Sequence, residues 1–181
     1  MDFITISLMI FCAALYGITM KIADLMNEHG LKWFRFSNLI FGAACGVFGA
    51  LLILGDVIIA NVILAMNIAF IIRRRIDYLN HAIALTIILI TFLFYSTISP
   101  VLFFVFFIVF LAFGGLKDYV NDVMKKGSGL AFILTESMLY YPIPTLIYCI
   151  FFGNWVVFAV FLAYTIFYNA AKYCAMKSGY R

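Results

Sequence analysis

Residues 100–118 read PVLFFVFFIVFLAFGGLKD, an unbroken apolar run that ends in a lysine and an aspartate. An α-helix needs about 20 apolar residues to cross the hydrocarbon layer of a membrane. The whole 181-residue chain has the same character, because 67% of its residues are hydrophobic and only 11% are charged. A soluble domain of this size cannot bury so much apolar surface. The composition therefore predicts an integral membrane protein surrounded by lipid, and it excludes a soluble enzyme and a nucleic-acid-binding domain.

Seven apolar stretches of this kind follow one another, separated by tight turns or polar loops. We therefore predict an all-α fold, a polytopic bundle of about seven transmembrane helices that forms one domain over residues 1–181. The sixth stretch contains Pro142 and Pro144, and we expect a kink there because each proline removes a backbone hydrogen-bond donor. The predicted spans are residues 3–23, 37–54, 56–72, 81–98, 100–117, 131–152 and 154–171.

The basic residues indicate how the bundle is oriented. With these spans, every lysine and arginine falls at one end, whereas the other end carries Asp2 and Asp56 and no base. Cytoplasmic loops of membrane proteins carry an excess of lysine and arginine. We therefore expect the N-terminus outside the cell membrane and the C-terminus in the cytoplasm. The long loops, residues 24–36, 73–80 and 118–130, should be cytoplasmic too.

A faint internal repeat suggests how the spans are arranged. A shift of 98 residues aligns Gly17 with Gly115, Asp24 with Asp122, and Gly55 with Gly153. The repeat predicts two triplets of spans, over about residues 1–80 and 99–181, joined by a linking helix over residues 81–98. Because the linker is a single span, the two triplets of this 3+1+3 arrangement would be parallel, related by an axis along the membrane normal.

Two loops that correspond in this repeat carry the candidate chemistry. Residues 20–30 (MKIADLMNEHG) hold Asp24 and Glu28, and residues 115–127 (GLKDYVNDVMKKG) hold Asp118 and Asp122. Positions i and i+4 share one face of a helix, so both pairs of carboxylates could point into a common cavity. Acids on facing helices suit Mg²⁺, which takes a few carboxylates and completes its octahedral shell with water and substrate phosphates.

Basic residues near both acid pairs could hold the remaining charge of a phosphate group. An apolar bundle with acids and bases at one mouth fits a diphosphate that carries a lipid tail. The alternative for such alternating charges is a solvated helix end just beyond the membrane, and we expect His29 and His81 to be solvated there. The bases concerned are Lys21, Arg73, Arg74, Arg75, Lys117, Lys125 and Lys126.

The layout resembles the UbiA superfamily of intramembrane prenyltransferases. Those enzymes carry Asn-Asp-x-x-Asp-x-x-x-Asp after one helix and a Lys-Asp-x-x-Asp-x-x-x-Asp-like motif after another, in two related halves. Lys117-Asp118, at the end of an aromatic-rich span, stands as the Lys-Asp pair, and residues 73–80 (RRRIDYLN) resemble the basic stretch between the halves. Met20 and Lys21 take the place of the Asn-Asp pair in the first motif.

The resemblance implies transfer of a prenyl group from a prenyl diphosphate to an acceptor at the cytoplasmic face. It implies that acids hold Mg²⁺ on the diphosphate and that nearby bases bind the substrate. The implied catalytic and metal-binding residues are Asp24, Glu28, Asp118 and Asp122. The implied substrate-binding residues are Lys117, Arg74, Arg75, Lys21 and Lys126.

Two alternatives stay open. One is a small transporter or channel of 3+1+3 helices, with a central path formed by Asn61, Asn67, Glu136 and the prolines of the sixth span. The other is a non-catalytic relative that keeps the fold and binds lipid. Asn61 and Asn67 would otherwise donate hydrogen bonds between helices, and Gly42 and Gly46, with their Gly-x-x-x-Gly spacing, should permit close helix packing.

Overall fold

A computed structural model describes residues 2–28, 30–31, 33–123 and 138–177 of the chain. Within these residues the chain forms seven α-helices and no strand, which confirms the predicted all-α class. The helices are α1 (Phe3–Glu28), α2 (Ser37–Gly55), α3 (Val57–Ile72), α4 (Leu79–Tyr95), α5 (Pro100–Val123), α6 (Pro142–Phe152) and α7 (Trp155–Lys177).

Four of these helices, α1, α2, α5 and α7, are long and apolar enough to cross a membrane. The other three are apolar but shorter, with 16 residues in α3, 17 in α4 and 11 in α6. A spanning helix needs about 17–25 residues. Four helices thus fit the predicted membrane-spanning bundle by their length and composition, and the count of seven spans stays a prediction.

The sixth helix differs from its prediction. α6 begins at Pro142. In the first turn of a helix, the missing N–H and the restricted φ of proline are tolerated. Residues 138–141 before it form a turn, in which Met138 has a φ of 54°. The prediction of one kinked helix through the prolines is therefore wrong, because the described helix begins at Pro142. Residues 131–137 lie outside the described part of the chain.

Close helix packing fixes the position of α4. α2 packs against α1, α3 and α4, while α1 also packs against α7, α3 against α5, and α6 against α7. A Cβ at Gly42 of α2 would lie 2.6 Å from the carbonyl oxygen of Asn80, and one at Gly46 would lie 3.0 Å from the Cα of Ala84. The predicted close approach at both glycines is confirmed. It holds the first turns of α4, which carry His81, against the bundle.

The distribution of apolar residues fits a lipid environment. Phe94 and Phe151 are 78% and 77% exposed, and many other large apolar side chains on the outside of the bundle are also exposed. Polar side chains occur in the interior instead, among them Lys21, Asp24 and Asn67. Since burying polar groups is favourable only when they find partners, their partners show where the chemistry of the chain can lie.

Candidate functional site

A cavity of about 240 Å³ opens at the end of the bundle where α1, α3 and α5 end and α4 begins. Its walls come from these four helices, from α2 and α7, and from the segment that follows α3. An apolar pocket with a few convergent polar groups is the usual form of a ligand site. The acidic and basic side chains that line it, histidine included, are Asp24, Arg73, Arg75, Asp77, His81, Lys117 and Asp118.

Asp118 of α5 is bound by two arginines that follow α3. Nε and Nη2 of Arg73 donate to Oδ2 of Asp118 at 3.0 and 2.7 Å, and Nη2 of Arg75 donates to Oδ1. The side chain of Arg73 is 8% exposed, whereas that of Arg75 is 47% exposed. Arg73 is therefore an inner anchor of the carboxylate, and Arg75 is an outer partner with access to solvent.

The backbone between these two arginines is in an uncommon conformation. Arg74 has a φ of 55°, in the left-handed region that residues with a side chain rarely adopt. With this turn at Arg74, its two neighbours reach the same carboxylate, while Arg74 is exposed and does not line the cavity. Arg75 thus lies where the sequence predicted a substrate-binding base. Arg73 takes the place in the cavity that was expected for Arg74.

Lys117 also lies at this wall, as predicted. Its Nζ is 6.0 Å from the centroid of the Tyr140 ring, which is within reach of a cation–π contact. Tyr140 lies in the turn before α6, and its hydroxyl donates to that of Tyr141 at 2.8 Å. No sequence pattern indicated a role for these tyrosines beyond the expected kink.

Asp24 of α1 forms the opposite wall together with His81 and Tyr168. Nε2 of His81 lies 2.9 Å from Oδ1 of Asp24, and the Tyr168 hydroxyl donates to Oδ2 at 2.9 Å. Nδ1 of His81 lies 3.3 Å from a carboxylate oxygen of Asp77. His81 therefore bridges two carboxylates, and the prediction that it is solvated is wrong. The i, i+4 spacing of Asp77 and His81 is a sequence signal that could have indicated this pair.

The predicted metal site is only partly described. Asp24 and Asp118 line one cavity, as expected, but the side chains of Glu28 and Asp122 lie outside the described part of the structure. Among the side chains that are described, no three of the types His, Cys, Asp and Glu form a metal-binding group. Each oxygen of the Asp24 and Asp118 carboxylates is already within hydrogen-bonding distance of a protein group. A Mg²⁺ ion would have to displace some of these partners, and its site stays a prediction.

The remaining predicted residues lie away from the cavity or outside the described residues. Lys21 is buried in α1, with its Nζ 5.4 Å from the centroid of the Tyr168 ring, and it does not line the cavity. Lys125, Lys126 and Glu136 belong to the part of the chain that is not described. The cavity therefore gives no support to the predicted substrate-binding roles of Lys21 and Lys126.

The asparagines considered for a transporter path bind the backbone. Nδ2 of Asn61 donates to the carbonyls of Val57 and Thr97 at 2.8 and 3.0 Å, and its Oδ1 accepts from the N–H of Ser99 at 2.8 Å. Nδ2 of Asn67 donates to the carbonyl of Ile63 at 2.8 Å. Asn61 thus ties α3 to the segment before α5, whereas this bond of Asn67, which also lines the cavity, stays within α3. The predicted hydrogen bond between two helices stays a prediction.

In comparisons with known proteins, no family model, no curated protein and no solved structure matches the chain. The likeness to the UbiA superfamily accordingly depends on the motifs quoted above. A function can be inferred from the cavity and from the charged side chains that line it.

Proposed function

We propose that the protein is an intramembrane prenyltransferase and that this cavity holds the diphosphate of its prenyl donor. The observation that supports the proposal best is that Arg73, Arg75 and Lys117 share one cavity with an apolar wall. A diphosphate is bound best by several cationic donors, and arginine can offer it two parallel N–H groups. A prenyl chain needs an apolar surface beside that group.

In this proposal the exposed arginine is the one that meets the donor. Arg75 is the half-exposed partner of Asp118, so it can turn towards a phosphate while Arg73 keeps the carboxylate bound. Negative charge builds up on the diphosphate as the bond between carbon and oxygen breaks. Fixed cations beside that oxygen stabilise the charge where it develops. Arg75 and Lys117 are the side chains to which we assign this role.

The apolar wall would hold the beginning of the prenyl chain. Tyr16, Met20, Phe70, Leu85 and Ile88 contribute to it. The volume of 240 Å³ is below the range of about 300–1,000 Å³ that is usual for ligand pockets. The cavity therefore suits the diphosphate and the first part of the chain, and a longer tail would extend between the helices towards lipid. An apolar enclosure also keeps water away from a reactive carbon.

Mg²⁺ dependence is part of the proposal. The four predicted acids, Asp24, Glu28, Asp118 and Asp122, would hold the ion, and when bound it would neutralise charge on the diphosphate. Asp24 and Asp118 would then exchange some of their present partners for it.

We further propose the predicted orientation and the 3+1+3 arrangement, with the cavity at the cytoplasmic face. The packing supports the repeat. The contact of α1 with α7 corresponds to that of α5 with α3, and the contact of α2 with α3 corresponds to that of α6 with α7. These pairs are equivalent under the shift of 98 residues. The orientation can be checked with reporters fused after Arg181 and in the loop of residues 118–130, which should both be cytoplasmic.

The deciding experiment is a titration of the purified protein with geranylgeranyl diphosphate, with and without Mg²⁺. We expect Mg²⁺-dependent binding by the wild type, and binding at least about tenfold weaker after Arg75→Gln, about 1.4 kcal/mol. The matched control is Asp56→Asn, whose carboxylate at the other end of the bundle caps α3 by accepting from the N–H groups of Ile58 and Ile59. Asparagine caps helices as well as aspartate does. Equal affinity in all three proteins, or binding that ignores Mg²⁺, would overturn the corresponding part of the proposal.

A further inference from the structure

The guanidinium group of Arg73 occupies space that only a glycine leaves open. A Cβ on Gly114 of α5 would lie under 3.0 Å from Nη1 and Cζ of Arg73, and 2.8 Å from its Nε. Such distances are shorter than any real Cβ contact. Gly114 is buried, and it lies one turn before Asp118 on the same helix face, since the two are four residues apart. Arg73 therefore lies along α5, with its Nη1 beside Gly114 and its Nε and Nη2 on Asp118.

We infer that Gly114 is the positioning residue of the site. The absence of a side chain at Gly114 admits the guanidinium of Arg73 against α5, and this contact sets the ion-pair cluster of Arg73, Asp118 and Arg75 at the cavity.

A methyl group at this position would act on the cluster more than on the helix. The guanidinium is the end of a flexible side chain, so it would move aside while α5 keeps its shape. Because the side chain of Arg73 is only 8% exposed, and two of its donors are engaged with Asp118, such a movement breaks charge-assisted hydrogen bonds. Asp118 would then depend on Arg75 alone.

The consequence for binding rests on the proposed function. If Arg75 meets the diphosphate, Arg73 must hold Asp118 while Arg75 leaves it. With Arg73 displaced, Arg75 is retained by the carboxylate and is lost to the ligand. Gly114→Ala should therefore weaken binding of a prenyl diphosphate, although residue 114 itself touches no ligand.

The chain offers a matched control in the next residue. A Cβ on Gly115 would have no atom within 4 Å, and this residue is exposed. Both glycines lie inside α5, where alanine is intrinsically favoured over glycine. The two alanine variants therefore share the gain in helix propensity and differ in the contact with Arg73.

The first test is thermal unfolding of the full chain in detergent, for Gly114→Ala, Gly115→Ala, Arg73→Ala and Gly114→Ala combined with Arg73→Ala. We expect Gly114→Ala to lower the Tm by about 3 °C or more, and Gly115→Ala to leave it unchanged or raise it. In the Arg73→Ala background, Gly114→Ala should cause no further loss. Equal effects of the two glycine variants, or the same loss with and without Arg73, would overturn the inference.

The unfolding series still decides the question if one variant does not fold. If the Gly114→Ala protein does not fold, the Arg73→Ala protein and the double variant can still be compared. The role of Gly114 is refuted if Arg73→Ala folds and the double variant does not.

The second readout is the affinity for geranylgeranyl diphosphate, which should fall at least about tenfold in Gly114→Ala and stay unchanged in Gly115→Ala. No binding by the wild type refutes the proposed function, whereas the unfolding series still decides on Gly114. Binding by the wild type and by Gly114→Ala with equal affinity refutes the inferred consequence for the ligand.

Discussion

The two ends of the bundle use their polar side chains in different ways. At the end that carries Asp56 and Asn61, the side chains bind the backbone, where they cap α3 and join it to the turn before α5. At the end with the cavity, side chains bind one another across helices, as Arg73 binds Asp118 and His81 binds Asp24. A backbone group that loses its hydrogen-bond partner in an apolar interior finds no other, whereas an ion pair beside a cavity can exchange one partner for a ligand. The comparison therefore separates polar residues that stabilise the fold from those that are available for chemistry.

The largest effect is expected at the end without the cavity. Asn61→Ala removes three hydrogen bonds to the backbone of Val57, Thr97 and Ser99 from a side chain that is 0% exposed, and each such bond contributes about 0.5–1.5 kcal/mol. We expect the free energy of unfolding to fall by about 3 kcal/mol in detergent, with no change in the affinity for prenyl diphosphate. A variant of normal stability, or one with altered affinity, would contradict the division between the two ends.

A smaller loss of stability is expected from Tyr168→Phe at the cavity. The variant removes the hydroxyl that donates to Asp24 at 2.9 Å, in a residue that is 7% exposed. A hydrogen bond to a charged group contributes about 1.5–3 kcal/mol, so we expect the free energy of unfolding to fall by about 2 kcal/mol. Tyr173→Phe, on the same helix but 64% exposed, is the control and should unfold like the wild type. Equal stability of both variants would show that the contact of Tyr168 with Asp24 is not structural.

Asp118→Asn should act on binding. Asparagine keeps the size of the side chain and one acceptor oxygen but loses the charge that the proposed Mg²⁺ ion needs and that holds Arg73 in place. We expect Mg²⁺-dependent affinity for geranylgeranyl diphosphate to fall by about tenfold or more, which is about 1.4 kcal/mol. Isothermal titration of the wild type and the variant measures this change. Unchanged affinity would remove Asp118 from the site and would leave it as an anchor for the two arginines.

The smallest effect is expected from Arg74→Gln. Its side chain is exposed and lies outside the cavity, and surface substitutions of this kind change stability by about 0.5 kcal/mol or less. Both the Tm and the affinity for prenyl diphosphate should match the wild type, in contrast to Arg75→Gln. A loss of affinity equal to that of Arg75→Gln would show that the charge of the arginine run acts as a whole.

Much of the fold could be predicted from the sequence, because apolar composition and the spacing of polar turns determine where membrane helices begin and end. The acids at positions 24 and 118 were predicted at one end for the same reason, and both line the cavity. The start of α6 at Pro142 was not predicted, since an apolar run looks the same whether a helix passes through it or begins within it. The bridging role of His81 depends on how α4 packs against α2, which brings the first turn of α4 to Asp24 of α1, and hydrophobic periodicity carries no information about such distances.

Because the backbone at Arg74 is left-handed, the position of each arginine in the run of three decides which side chains face Asp118. Their total charge does not decide it. Inserting one arginine into this run would increase the positive charge and keep the composition of the loop nearly the same. It would nevertheless rotate the following side chains, so that the pair of guanidinium groups no longer faces a single carboxylate. Glycine adopts positive φ at little cost, so Arg74→Gly should preserve the alternation of inward and outward side chains, whereas a β-branched residue should disturb it. A relative of this chain could therefore lose one of its arginines without harm, provided that the residue in the middle still allows the turn.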